Sequence, residues 1–135
     1  MAFLGVPQVA TYNASKAALA IFHESLRLEI ENHLGASHVR TSAVFPSMVE
    51  TGMFNGVRMP RWISPELPPK LVAQRIFDQI ESGCDGDIYL PLFTNIAPVY
   101  MLLPRIGREL IHWIGGSIDA MRTFRGYNTE PNISM

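Results

Sequence analysis

Tyr12 and Lys16 stand four residues apart in the run Tyr12-Asn13-Ala14-Ser15-Lys16. On a helix that spacing sets both side chains on one face. An ammonium beside a phenol favours the phenolate and draws the ordinary phenol pKa of about 10 towards working pH. A phenol tuned in this way exchanges a proton with an alcohol or carbonyl oxygen, while the lysine keeps donors for a ribose hydroxyl. The same spacing also fits an ordinary pair on a helix surface, so its meaning depends on the elements that carry it.

Those elements read as an α/β chain. A long helix is expected over residues 12–34. Its first half, Ala17-Ala18-Leu19-Ala20-Ile21-Phe22, is apolar nearly all round, which marks a helix covered on more than one side. Glu24, Arg27 and Glu31 form a solvated face later in it, and Gly35 is a plausible stop. A short strand over 39–45 leads to Pro46, and an irregular stretch follows from 47 to 69. Pro68-Pro69 suits the start of a helix over 70–82, which Gly83 ends. A second short strand is expected over 87–90. Two strands joined by a helix argue for a parallel crossover. Parallel sheets need more strands, and helices on both faces, than this chain supplies. The expected remainder lies ahead of Met1.

Bulk properties narrow the function. The 135 residues, 47% of them hydrophobic, can form the core of one domain. A net charge of −1 with mixed signs gives no basic face for nucleic acid. The single Cys84 excludes an internal disulfide framework and reads as part of a turn beside Asp85 and Asp87. His23, His33, His38 and His112 lack paired metal-ligand spacing, so surface or capping roles are expected and no metal site. The first residues carry no basic segment and too short an apolar run for a signal peptide. Trp62 either walls a substrate pocket or packs as core.

Tyr12-Asn13-Ala14-Ser15-Lys16-Ala17-Ala18 at the start of a long helix, followed by a strand rising to Pro46-Ser47-Met48-Val49-Glu50-Thr51-Gly52, resembles the short-chain dehydrogenase/reductase family. The resemblance covers residues 1–92. It implies the C-terminal part of a Rossmann-like doubly wound parallel sheet and an oxidoreductase using NAD or NADP. It makes Tyr12 the general acid/base and gives Lys16 the nicotinamide ribose. Pro46 and Val49 fall in the segment that wraps the nicotinamide end, with Val49 offering backbone groups to the carboxamide and Thr51 its hydroxyl to the pyrophosphate. Ser47 departs from the family's glycine. The glycine-rich turn for the pyrophosphate and the serine ahead of the tyrosine have no counterpart here. The chain is thus expected to be a fragment that is catalytically silent and poorly folded on its own.

Residues 93–127 read as a hydrophobic helical extension, and 128–135 as a disordered tail. Its apolar run from Ile96 to Pro104 is too short to span a bilayer and gives way to Arg105 and Arg108 before Leu110, Ile111, Trp113 and Ile114. It suits either a membrane interface or packing on the domain or a partner subunit. The extension is similar to that of the retinol and hydroxysteroid dehydrogenase branch. That likeness implies a lipophilic alcohol or ketone substrate, peripheral contact on the cytoplasmic side of the endoplasmic reticulum or lipid droplets, and a homo-oligomer at full length. The competing expectation is an inactive fragment acting only in subunit or membrane association.

Overall fold

The computed structural model describes residues 3–61 and 63–125. Trp62 and the expected tail at 128–135 lie outside the described residues. In chain order come α1 (Ala10–Asn32), β1 (Val44–Pro46), α2 (Pro69–Ser82), β2 (Ile88–Leu90), a 3-10 helix (Leu92–Leu102) and α3 (Arg105–Ile114).

Helix α1 begins two residues before the expected start. Its N-cap, Val9, makes no side-chain cap bond, so the local capping signal is absent from the sequence. At the other end the Leu34 N–H donates to the Glu29 carbonyl and Ala36 N–H to that of Ile30, as the chain turns through Gly35 at φ +59°. Glycine enters that region without a Cβ penalty. The Arg27 guanidinium meets Glu31 at 3.0 Å on the polar face.

β1 and β2 pair in parallel, Val44 with Ile88, Phe45 with Tyr89 and Pro46 with Leu90. α2 makes the crossover between them. It starts on Pro69 and ends at Gly83, which adopts the left-handed conformation. Cys84 is exposed in the turn beyond. The first strand is shorter than the expected 39–45. Ahead of it, the pairing thins to a 3.3 Å bond from the Gly86 N–H to the Thr41 carbonyl and an Arg40–Asp85 ion pair. A strand with one neighbour keeps ladder geometry only where that neighbour runs alongside. Phe3, Phe45 and Tyr89 form an aromatic cluster on the sheet, with Phe45 and Tyr89 stacked at 4.9 Å.

The most buried residues lie away from the helices. Val6, Met48, Leu67, Leu90, Ala120 and Met121 are buried, as are Ser64 and Ser117, while α1, α2 and α3 bury no residue fully. Beside Leu90 on β2 and Val6 ahead of α1, the buried positions among the described residues lie in the long loop after β1 and the turns after α3. Two backbone bonds, Arg58 N–H to the Ala120 carbonyl (3.0 Å) and Arg125 N–H to that of Asn55 (2.9 Å), tie these segments. The Thr123 hydroxyl donates to the Gly56 carbonyl. Gly56, at φ +86°, lies so close to the Thr123 backbone that a Cβ would collide with its carbonyl.

Candidate functional site

Tyr12 is the third residue of α1, and Lys16 follows one turn on. The Lys16 ammonium lies 5.3 Å from the centroid of the Tyr12 ring, a cation–π placement that keeps the two groups together. The phenol does not follow the expected direction. Burial holds the Tyr12 pKa above its ordinary 10, because desolvation penalises the phenolate. The Ser15 hydroxyl donates to the Tyr12 carbonyl at 2.7 Å and so is spent within the helix.

Two contacts position this first turn. The Asn13 side-chain amide donates to the carbonyl of buried Val6 at 3.1 Å, fastening the preceding loop to the helix. On another side the Tyr12 ring meets Phe54 edge-on, with centroids 6.4 Å apart. Phe54 lies three residues past Thr51, so this contact brings the loop after Pro46 up to α1.

That loop is held from within. Pro46 closes β1, and the Ser47 N–H donates to the Leu90 carbonyl at 2.8 Å. The Ser47 hydroxyl lies 2.8 Å from that of Ser64, so the residue that replaces the family's glycine braces the loop from within. Val49 forms a parallel bridge with Leu67, through Leu67 N–H to the Met48 carbonyl and Glu50 N–H to that of Leu67. The bridge leaves the Val49 N–H with no acceptor among the described residues. Thr51 is exposed, and its hydroxyl makes one long 3.4 Å bond to the Val49 carbonyl. Through the Tyr12–Phe54 contact this loop, with Val49 and Thr51, is tied to the first turn of α1 that carries Tyr12.

Two histidines expected at the surface or in caps do other work. His23 is largely buried and reaches from α1 to Asp87 at the start of β2, with its Nδ1 3.6 Å from the carboxylate. The helix turns this polar position towards the sheet, so His23 is part of the packing. His112 on α3 lies 2.7 Å from the Tyr100 hydroxyl through Nε2, and its Nδ1 meets the hydroxyl of buried Ser117. It thereby joins the 3-10 helix, α3 and the turns beyond. No local pattern marks either role, because each partner is distant along the chain or across an element boundary.

Beside the first turn of α1 lies an open depression of about 540 Å³, lined by Val6, Pro7, Ala10 and Ile118 with Asn13, Glu109 and His112 as its polar members. That size falls in the range of small-molecule sites. Tyr12 is not in its wall, but the residues either side of it on the helix turn are.

The family model described as short chain dehydrogenase matches residues 1–62, which include Tyr12, Lys16, Pro46, Val49 and Thr51. The chain is 36% identical over 98 residues to the Saccharomyces cerevisiae protein called Uncharacterized oxidoreductase TDA5, covering 72% of this chain and 30% of that one. It is 33% identical over 130 residues to human Short-chain dehydrogenase/reductase 3, covering 93% of this chain and 41% of the relative. Retinol dehydrogenase 10-A of Xenopus laevis is 44% identical over 61 residues, 45% of this chain and 18% of its own. The chain thus spans less than half the length of these relatives. No solved structure matches it significantly.

Proposed function

This chain belongs to the short-chain dehydrogenase/reductase family, and we propose that it carries the proton-transfer part of an NAD(P)-dependent oxidoreductase acting on a lipophilic alcohol or ketone. The observation that carries this reading is the Tyr12/Lys16 pair on the first turn of α1, with the lysine ammonium 5.3 Å from the phenol ring centroid. The nicotinamide, when bound, supplies or takes the hydride. The chain's own residues do the rest. Tyr12 gives a proton to the substrate oxygen in reduction and removes it in oxidation. Lys16 offers its ammonium to the ribose, and beside the phenolate it opposes the burial that keeps the phenol neutral. The Val49 N–H orients the carboxamide, and Thr51 turns its hydroxyl to the phosphate. The depression beside Ala10 and Asn13, whose exposed lining is mainly apolar although Glu109 and His112 border it, is the feature that favours a lipophilic substrate.

Tyr12→Phe in the full-length protein tests the reading, since it removes the oxygen and keeps the ring against Phe54. Turnover should fall by roughly 10²–10⁴ with cofactor affinity retained. Turnover near that of the parent removes Tyr12 from the reaction. A second reading, association through α1 without catalysis, is favoured by Leu19, Ile21 and Phe22, each more than half exposed on that helix. Under it, Phe22→Glu would dissociate oligomers in sedimentation velocity and Tyr12→Phe would change nothing.

A further inference from the structure

A second, mostly polar depression of about 430 Å³ opens where the long loop meets the last described turns. Asn55, Gly56, Arg58, Thr123 and Arg125 border it, and no Asp or Glu among the described residues does. Arg27, Arg40, Arg105 and Arg122 each hold a carboxylate within 3.3 Å. Arg58 and Arg125 hold none among the described residues. Carbonyls in this wall are already engaged: that of Asn55 accepts from the Arg125 N–H at 2.9 Å, and that of Gly56 from the Thr123 hydroxyl. Donors are left over. The backbone N–H groups of Gly56 and Thr123 meet no acceptor among the described residues, and neither guanidinium does. A depression with its acceptors spent, its donors free and two positive charges at its border is complementary to an anion.

We propose that Arg58 and Arg125 hold a phosphoryl dianion between them, as free phosphate or as a phosphomonoester. Charge and shape select it over a carboxylate. One guanidinium fork takes up both oxygens of a carboxylate, whereas a phosphoryl group has three oxygens and close to two negative charges to divide between two arginines. The backbone keeps the pair in place. Arg58 N–H donates to the Ala120 carbonyl at 3.0 Å, the Arg125 bond runs back to Asn55, and Gly56 lies too close to Thr123 to admit a Cβ. The two cations therefore border one depression whether or not an anion is present, and a bound dianion offsets their repulsion. The inference goes beyond the proposed reaction and does not depend on it.

The test titrates the full-length protein by calorimetry with inorganic phosphate and, separately, with glycerol 3-phosphate. Ionic strength is held constant, and saturating NAD and NADP keep the probes away from any cofactor contacts. Saturable binding at one site is expected, and the tighter probe tells free phosphate from a phosphomonoester. Arg58→Gln and Arg125→Gln should each weaken binding roughly tenfold, and the parent should bind acetate roughly tenfold more weakly than phosphate. Arg58→Lys, which keeps the charge and loses the fork, should recover part of the loss. Both side chains are exposed and their backbone bonds survive substitution, so circular dichroism of the variants should match the parent. Phosphate should also slow amide exchange over 55–58 and 120–125 in the parent, a readout that needs no variant. Absence of saturable binding, equal affinity in parent and both glutamine variants, equal affinity for acetate and phosphate, or protection confined to other segments overturns the proposal.

Discussion

The junction of the long loop with the turns after α3 and the helix that carries Tyr12 differ in what holds them. At the junction, Met48, Leu67, Ala120 and Met121 are buried, and bonds from Arg58, Thr123 and Arg125 cross it. Along α1 no residue is fully buried, and its chief ties are Asn13 to Val6, Tyr12 to Phe54 and His23 to Asp87. The junction holds residues under a tenth exposed, while α1, with Leu19, Ile21 and Phe22 each more than half exposed, is left with its surface open. Apolar content therefore does not report where the core is; partner geometry does.

The contrast should break first at Gly56. Gly56→Ala forces a Cβ at φ +86° against the Thr123 carbonyl, where neither side is a flexible side-chain end. Urea unfolding should show a loss of about 3 kcal/mol. A change below about 0.5 kcal/mol would mean that the junction is not a folded unit. Next comes a matched pair of truncations. Met121→Ala, at a residue 4% exposed, should cost about 2–3 kcal/mol, against about 0.5 kcal/mol for Phe22→Ala at a residue 62% exposed. Equal losses would show that α1 is covered in solution.

The smallest effect is a titration. Burial raises the Tyr12 pKa, so the folded chain holds this proton more tightly than the unfolded one. The contribution of Tyr12 to stability is then fully present below pH 10 and fades as pH rises through the folded value. Difference absorbance between the chain and its Tyr12→Phe variant should give a midpoint above 10. A midpoint below 10 would mean that the Lys16 charge outweighs burial.

The Tyr12/Lys16 pair, the α2 crossover and its stop at Gly83 were legible because each follows from short-range spacing or from one residue's backbone preference. The start of α1 was not, since Val9 offers no capping side chain. The Ser47–Ser64 contact and the His112 bonds to Tyr100 and Ser117 are pairings across separate segments, which no window of sequence encodes. Tuning of Tyr12 was misread for a related reason: the charge partner is local and visible, whereas desolvation is set by what folds around it.

The Thr123–Gly56 bond joins residues 67 apart, whereas the Arg27–Glu31 pair is settled within one helical turn. Closing a longer loop costs more chain entropy, though only logarithmically, and contacts of high sequence separation slow folding. The helix bearing Tyr12 and Lys16 rests on local contacts, which can form early. The loop bearing Val49 and Thr51 gains its final shape only once the far end of the chain has come back to meet it. In synthesis from the N-terminus, ribosome-bound chains ending before residue 123 should carry the Tyr12/Lys16 pair beside an unset loop.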